Sequence, residues 1–207
     1  MKRCIVIGSM PVDVDLKRFI TPKDYVFCAD GGYLQALKQG IEPDVIVGDF
    51  DSSPHPHNIA AKIEELPVIK DDTDTYHIAR QIIKDGFSEA LFFGVTGGRP
   101  DHTFANIQML KFLAQNRVNA QIIDKNSTYT VITDGQAELP ATENCYFSVF
   151  ALDEKCTGVT ETGGFYEISD AEITNDFPIG VSNEFIGKPV TISVKKGSLL
   201  IITTGKD

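Results

Sequence analysis

The sequence predicts two structural parts, an N-terminal α/β domain with a parallel sheet and a C-terminal antiparallel β-sandwich. In the first half, short apolar runs rich in Val, Ile and Phe alternate with longer segments of helical period, a pattern typical of strands joined by crossover helices. After about residue 125 the helical segments stop, and strand-like runs separated by turns follow one another. We therefore predict domains over residues 1–127 and 128–207.

The elements of the first half alternate regularly. The predicted strands are Arg3–Ile7, Tyr25–Ala29, Asp44–Val47, Leu66–Ile69, Ala90–Phe93 and Ala120–Ile123. The clearest helices each begin beside Gly, Thr or Asp residues suited to helix entry, and they are Tyr33–Gln39, Asp74–Lys84 and His102–Gln115. This order favours a parallel sheet covered by helices.

The second half is predicted to contain strands without helices between them. These strands are Tyr129–Thr133, Cys145–Leu152, Gly158–Glu161, Val190–Val194 and Leu199–Thr203. Their spacing is typical of a sandwich or a barrel.

Composition excludes several classes of protein. The net charge is −10 and Lys and Arg are not clustered, which disfavours nucleic acid as a partner. No apolar run approaches the roughly 18 residues that cross a bilayer, so we expect no membrane insertion. The first apolar run ends at Gly8, too early for a signal peptide, and the four cysteines are too widely spaced for a zinc site or a disulfide framework. We expect a cytoplasmic protein.

Acidic or glycine-rich loops follow four predicted strands. They are Asp30-Gly31-Gly32, Gly48-Asp49-Phe50-Asp51-Ser52, Asp71-Asp72-Thr73-Asp74 and Gly94-Val95-Thr96-Gly97-Gly98-Arg99-Pro100-Asp101. The carboxyl ends of parallel strands share one edge of a sheet, where ligands of open α/β sheets bind. The loops are therefore predicted to converge on one crevice.

Asp49 and Asp51 are candidates for a metal site. Residues two apart in an extended loop point the same way, so both carboxylates could bind one cation while Phe50 turns inward. The alternative is that they cap a loop and the next helix. Asp30 and Asp74 at the same edge favour the metal, because carboxylates crowded together repel unless a cation holds them. Magnesium suits these hard oxygen ligands, and its preference for phosphate oxygens indicates a nucleotide.

The loop after the fifth predicted strand is a candidate phosphate clamp. Gly97 and Gly98 allow backbone amides to approach a phosphate, and Arg99 supplies a fixed fork of donors. Asp101 has an alternative role as a helix cap, and His102 as a packed or solvated histidine.

The acidic loop before the second helix also allows two readings. Asp72 and Thr73 serve either the start of that helix or a ligand. Lys70 is either an exposed lysine or a second phosphate contact, and Asp74 is the better metal candidate.

At these residues the sequence resembles the thiamine pyrophosphokinase family. The motifs that carry the resemblance are Ala29-Asp30-Gly31-Gly32, Gly48-Asp49-Phe50-Asp51-Ser52, Thr73-Asp74, Gly97-Gly98-Arg99-Pro100-Asp101-His102, Thr162-Gly163-Gly164-Phe165-Tyr166 and Val181-Ser182-Asn183-Glu184. Each motif alone is weak, but the ordered set is specific and covers most of the chain.

The resemblance implies an α/β domain that binds ATP and metal, a β-sandwich that binds thiamine, and a homodimer whose thiamine pocket is completed by the partner subunit. The diphosphate of ATP would move to the thiamine hydroxyl by in-line attack on the β-phosphorus, with AMP leaving. Asp74 or Asp101 would accept the hydroxyl proton.

The resemblance also assigns residues to roles. It implies that magnesium or the metal-bound phosphates contact Asp30, Asp49, Asp51, Asp74 and Asp101. The other expected nucleotide contacts are Gly31, Lys70, Thr73, Gly97, Gly98 and Arg99. Ser182 and Asn183 are expected near thiamine.

One departure from the family concerns the ring that stacks on thiamine. Eukaryotic members carry a tryptophan there, whereas this chain has none and offers Tyr166. Phe165 is the alternative, because successive strand residues face opposite sides and one ring is expected to pack inward. Tyr166 would otherwise be an ordinary strand residue.

Two other functions remain open. The acidic cluster also suits an ordinary kinase or a pyrophosphokinase acting on a different alcohol, and a non-catalytic nucleotide sensor would carry the same loops. The Walker pattern and the paired-glycine dinucleotide fingerprint are both absent from the sequence, which disfavours P-loop and dinucleotide folds.

Overall fold

A six-stranded parallel sheet organises the first part of the chain. The computed structural model describes residues 2–51, 53–67, 69 and 71–206, and it forms two compact units, Met1–Lys125 and Asn126–Asp207. The strands of the first unit are β1 (Arg3–Ile7), β2 (Tyr25–Ala29), β3 (Val45–Gly48), β4 (Lys62–Glu65), β5 (Glu89–Phe93) and β6 (Asn119–Ile123). They run in the order β6-β5-β1-β2-β3-β4, and every neighbouring pair is parallel.

The central strands are apolar because both of their faces are covered. Cys4, Ile5, Val6 and Ile7 of β1 are all fully buried, as expected for a parallel strand between two helical layers.

Among the described residues, three helices connect the strands, namely α1 (Gly32–Lys38), α2 (Asp74–Lys84) and α3 (Pro100–Gln115), and a short 3₁₀ turn spans Leu16–Arg18. The hydroxyl of Thr73 caps α2 by accepting from the Tyr76 backbone N–H at 3.2 Å. Helix α3 begins at Pro100, two residues before the predicted start, because proline suits the first helical position. None of the described helices has the length and apolarity needed to span a membrane.

The prediction for the fourth strand is wrong. It placed the strand at Leu66–Ile69, whereas β4 is Lys62–Glu65, which pairs with β3 at the end of the sheet order and is mostly exposed. An edge strand of this kind needs no apolar run, so its sequence carries no burial signal. Val68 of the predicted strand lies outside the described residues.

The second unit consists of two antiparallel sheets. Its strands are β7 (Ser127–Thr133), β8 (Gln136–Leu139), β9 (Cys145–Ala151), β10 (Lys155–Thr162), β11 (Ile168–Thr174), β12 (Gly180–Glu184), β13 (Val190–Ser193) and β14 (Ser198–Gly205). One sheet contains β12-β9-β14-β7 and the other β11-β10-β13-β8. Side chains from both sheets, among them Phe147, Val159, Ile192 and Leu199, form one apolar core.

The predicted fold class, α/β followed by an antiparallel sandwich, is confirmed by these two units. The sequence did not predict β8, β11 and β12. Each of these strands stands at the end of its sheet and is mostly half-buried or exposed.

Candidate active site

One crevice in the first unit collects the loops at the carboxyl ends of the strands. Its volume is about 590 Å³, and five aspartates are among its lining residues, namely Asp30, Asp49, Asp51, Asp72 and Asp74. Its walls come from the loops after β1, β2, β3 and β5 and from the first turns of α2 and α3. From β1 the strands are added on one side as β2, β3 and β4, and then on the other side as β5 and β6. Ligands of open α/β sheets bind at this change in strand order.

Asp30 is fixed where β2 and β3 come closest. Its backbone has a φ of 46°, and its N–H donates to the Val47 carbonyl at 2.8 Å. The Ser53 hydroxyl donates to its carboxylate at 2.6 Å. A Cβ on Gly48 would lie only 2.9 Å from the Asp30 Cα, so glycine at this position is what allows the close approach.

The Asp49-Phe50-Asp51 segment is a tight turn rather than the predicted extended loop. Phe50 has a φ of 54°, and the Asp51 N–H donates to Asp49 Oδ1 at 3.3 Å. Phe50 packs against the core of the first unit, as expected, and both carboxylates line the crevice. Both aspartates therefore line the crevice, but by a different backbone geometry from the one that the spacing suggested.

A partly buried polar chain joins α2, α3 and the loop after β5. Thr73 and Thr75 share a hydrogen bond of 3.0 Å, and Thr75 donates to Asn106 Oδ1 at 2.7 Å. Asn106 in turn donates to the Val95 carbonyl at 2.8 Å. Sequence reasoning missed Thr75 and Asn106 because both lie within helices, away from the glycine and aspartate loops.

Arg99 and Asp101 form an ion pair at the N-terminus of α3. The guanidinium contacts the carboxylate at 2.6 Å and 3.2 Å, and both side chains are well exposed. This hydrogen bond lowers the pKa of Asp101 and raises the pKa of Arg99, because it stabilises the charged form of each group. Asp101 also accepts from the His102 N–H at 3.0 Å, so its carboxylate serves the helix start.

The glycines before Arg99 have different roles. A Cβ on Gly98 would lie 2.4 Å from the Met10 sulfur, and Gly98 lines the crevice. Gly97 has a φ of 81° but does not line the crevice. Gly31 and Asp101 also lie outside the lining, whereas Thr73 and Arg99 belong to it. Lys70 lies outside the described residues.

The crevice offers the donor chemistry that magnesium prefers. Asp30, Asp49, Asp51 and Asp74 supply hard carboxylate oxygens to one cavity. Within the part of the chain that the structure describes, no three His, Cys, Asp or Glu side chains already stand as a metal-binding set. Magnesium is usually held by one or two carboxylates and completes its shell with water and substrate phosphates, so the donor set fits this ion.

The remaining predicted residues lie in the second unit. Tyr166 and Phe165 are both exposed, at 66% and 63%, with their ring centroids 4.9 Å apart at 81°. The expectation that one ring packs inward is wrong, because the two residues lie in a bend before β11 and not in a strand. Ser182 is exposed, with a φ of 59°, where the register between β12 and β9 shifts.

Asn183 is buried, and its side chain is used within the protein. Its carbonyl oxygen accepts from the N–H groups of Tyr166 and Glu184, at 3.0 Å and 2.9 Å. Its amide nitrogen donates to the Tyr166 carbonyl at 2.7 Å and to Glu161 at 3.3 Å. Asn183 therefore holds the bend that carries the two aromatic rings.

Fold and site together define a class, an α/β unit with an acidic crevice at the carboxyl ends of its strands, followed in the same chain by an antiparallel β unit. The family model described as thiamin pyrophosphokinase, catalytic domain, matches residues 16–122. The model described as thiamin pyrophosphokinase, vitamin B1 binding domain, matches residues 130–199. The chain belongs to the thiamin pyrophosphokinase family.

Known thiamine pyrophosphokinases match this chain in sequence and in structure over nearly its whole length. The thiamine pyrophosphokinase of Bacillus subtilis (strain 168) is 30% identical over 210 residues, which cover 98% of both chains. The crystal structure of thiamine pyrophosphokinase from Bacillus subtilis matches with a TM-score of 0.90 at 27% identity, covering 99% of each chain. That of thiamin pyrophosphokinase from Geobacillus thermodenitrificans gives a TM-score of 0.87 at 26% identity, covering 100% of this chain and 99% of that one.

Proposed function

We propose that this chain is a magnesium-dependent thiamine pyrophosphokinase, which transfers the β,γ-diphosphate of ATP to the hydroxyl of thiamine and releases AMP. The observation that carries the proposal is the convergence of Asp30, Asp49, Asp51 and Asp74 on one crevice, within the unit that matches the family's catalytic domain.

The crevice residues divide the work of diphosphoryl transfer. Asp49, Asp51 and Asp74 would hold magnesium, with Asp30 beside them, and the bound ion supplies charge neutralisation at the phosphates. The backbone at Gly98 and the guanidinium of Arg99 bind phosphate oxygens. Arg99 is paired with the exposed Asp101, so it can exchange that partner for phosphate at small cost.

The proton of the thiamine hydroxyl needs an acceptor near the β-phosphorus. Asp74 lines the crevice whereas Asp101 does not, which favours Asp74 between the two candidates. No covalent intermediate with the enzyme is required. The rest of the rate enhancement comes from positioning the thiamine hydroxyl in line with the β-phosphorus of ATP.

The second unit is proposed to bind thiamine through Tyr166 and Ser182, both exposed to solvent. Other large apolar side chains are also exposed there, among them Phe177, Ile179 and Val181. Exposed apolar groups of this kind mark interaction surfaces. We therefore propose a cytoplasmic homodimer, in which the β unit of one subunit and the α/β unit of its partner complete each thiamine pocket. Sedimentation of a fully active monomer would contradict the dimer.

The nucleotide product tests the proposed reaction. Purified protein is incubated with ATP, magnesium and thiamine, and the nucleotides are separated by ion-exchange chromatography. We expect AMP equal in amount to the thiamine consumed, and no AMP when thiamine is omitted or magnesium is chelated. ADP as the product would indicate an ordinary kinase. Binding of Mg-ATP without thiamine-dependent turnover would indicate a nucleotide sensor.

A further inference from the structure

The core of the second unit contains one acidic side chain that the proposed mechanism does not use. Glu161 lies near the end of β10 and is 1% exposed. Within the described part of the chain it is the one ionisable side chain among the buried polar residues. A carboxyl group at such a position is costly, because its hydration is lost on folding.

The contact that Glu161 makes is specific. Its Oε2 accepts from the Asn183 amide nitrogen at 3.3 Å. Among the described residues, no hydrogen-bond donor lies within reach of its Oε1. Burial raises the pKa of Glu161, and the hydrogen bond from Asn183 opposes that rise.

Asn183 transmits this contact to the bend at Phe165 and Tyr166. Its carbonyl oxygen and amide nitrogen bind the N–H and the carbonyl of the same residue, Tyr166, at 3.0 Å and 2.7 Å. A flipped amide would set its NH₂ group against the N–H groups of Tyr166 and Glu184 and its oxygen against Glu161. The Glu161 acceptor therefore adds to the three backbone contacts that already oppose the flip, and it holds the amide nitrogen of Asn183 from the side of the core.

We propose that Glu161 is a positioning residue, which acts through Asn183 to fix the bend that presents Phe165 and Tyr166 to thiamine. The thiamine part of this inference rests on the proposed function. The positioning itself is a property of the fold and can be measured without any ligand.

Two substitutions separate the hydrogen bond from the packing. Glu161→Gln keeps a carbonyl acceptor for Asn183 in nearly the same volume, whereas Glu161→Leu fills the space without an acceptor. Val159→Ala, on the same strand, is the matched control, since it removes core volume without a polar contact to Asn183.

The first measurement is hydrogen exchange of the Tyr166 amide, whose N–H is bonded to Asn183. We expect exchange about fivefold or more faster in Glu161→Leu, corresponding to the loss of a typical net hydrogen bond, and near the native rate in Glu161→Gln. Native exchange in Glu161→Leu, or equal acceleration in Glu161→Gln, would overturn the proposal. This result does not depend on thiamine turnover.

The second measurement compares the KM for thiamine with kcat and with the KM for ATP. The KM for thiamine should rise about fivefold in Glu161→Leu, with kcat and the KM for ATP unchanged and the unfolding temperature no lower than native. Val159→Ala should lower the unfolding temperature and leave the KM for thiamine unchanged. A native KM for thiamine in Glu161→Leu, with faster Tyr166 exchange, would retain the positioning but remove its link to thiamine. A wild-type protein without thiamine turnover would contradict the proposed function instead.

Discussion

At the scale of single residues, the chain places carboxylates in two opposite environments. The crevice aspartates line an open cavity where water, a cation or phosphate can compensate their charge. Glu161 lies in an apolar core with one hydrogen bond from Asn183. Removal of the charge should therefore abolish activity at the crevice, whereas at Glu161 it should change how stability depends on pH.

Removal of a crevice carboxylate should abolish activity without damage to the fold. Asp49→Asn and Asp51→Asn each delete a proposed magnesium ligand, so we expect kcat to fall about a hundredfold or more at saturating magnesium. Stability of the metal-free protein should stay equal or rise, because repulsion among the carboxylates decreases.

The control for this pair is Asp71→Asn. Asp71 is exposed in the loop before α2 and does not line the crevice, so its substitution removes the same charge from the same region. Steady-state kinetics and thermal unfolding are compared for all three variants. Near-native turnover in both Asp49→Asn and Asp51→Asn would refute the metal assignment.

Replacement of Glu161 should change how stability depends on pH. Burial raises the pKa of Glu161 above its ordinary value of 4.5, so the folded protein keeps a proton that the unfolded chain has already released. Its contribution to stability is complete below the unfolded pKa and is lost as pH rises through the folded pKa. Glu161→Gln cannot ionise, so its stability relative to the native chain should increase as the pH rises above the unfolded pKa of Glu161.

Urea unfolding at several pH values measures this gain. Glu172→Gln serves as the control, because Glu172 is an exposed ion-pair partner of Lys155 and its replacement should change stability only slightly. A stability difference for Glu161→Gln that does not change with pH would contradict the interpretation.

The exposed tyrosine gives the third prediction. Tyr166→Ala should raise the KM for thiamine about tenfold, because a stacked ring contributes both buried area and aromatic contact. The KM for ATP should hardly change. Phe165→Ala is measured in parallel, and a larger effect there would identify Phe165 as the stacking residue.

At the scale of elements, burial decides what could be predicted. Central strands such as β1 and β5 are continuous apolar runs, and their predicted positions agree with the structure to within one residue. Strands β4, β8, β11 and β12 were misplaced or missed, and all four stand at the end of a sheet order. Their side chains are largely solvated, and their backbone pairing with one neighbour leaves little trace in sequence.

The glycine at the end of β3 provides a test at this scale. In Gly48→Ala the new Cβ would lie 2.9 Å from the Asp30 Cα, a backbone atom that cannot move alone. We expect the free energy of unfolding to fall by about 1–3 kcal/mol, with a loss of turnover because Asp30 is displaced. Gly135→Ala is the control, since a Cβ there meets only the Thr133 carbonyl oxygen at 3.4 Å. Equal stability of Gly48→Ala and the native protein by urea unfolding would contradict the close-approach argument.

At the scale of the whole molecule, the convergence of loops was predictable and the details of the crevice were not. The rule for parallel strands predicts Asp30, Asp49 and Asp74 at one edge of the sheet, and all three line the crevice. The positive φ of Phe50 and the polar chain through Asn106 depend on tertiary contacts, so no local pattern signals them. Asp101 does not line the crevice, although its ion-pair partner Arg99 does, and no local pattern in the sequence signals that difference.

The central claim is that this chain transfers an intact diphosphate from ATP to thiamine. Mass spectrometry of the thiamine-derived product, after incubation with ATP and magnesium, tests it most directly. We predict thiamine carrying two phosphoryl groups as the first product, with no free thiamine monophosphate at early times and with Asp49→Asn as the inactive control. Thiamine monophosphate as the sole product, or unmodified thiamine beside consumed ATP, would contradict the claim.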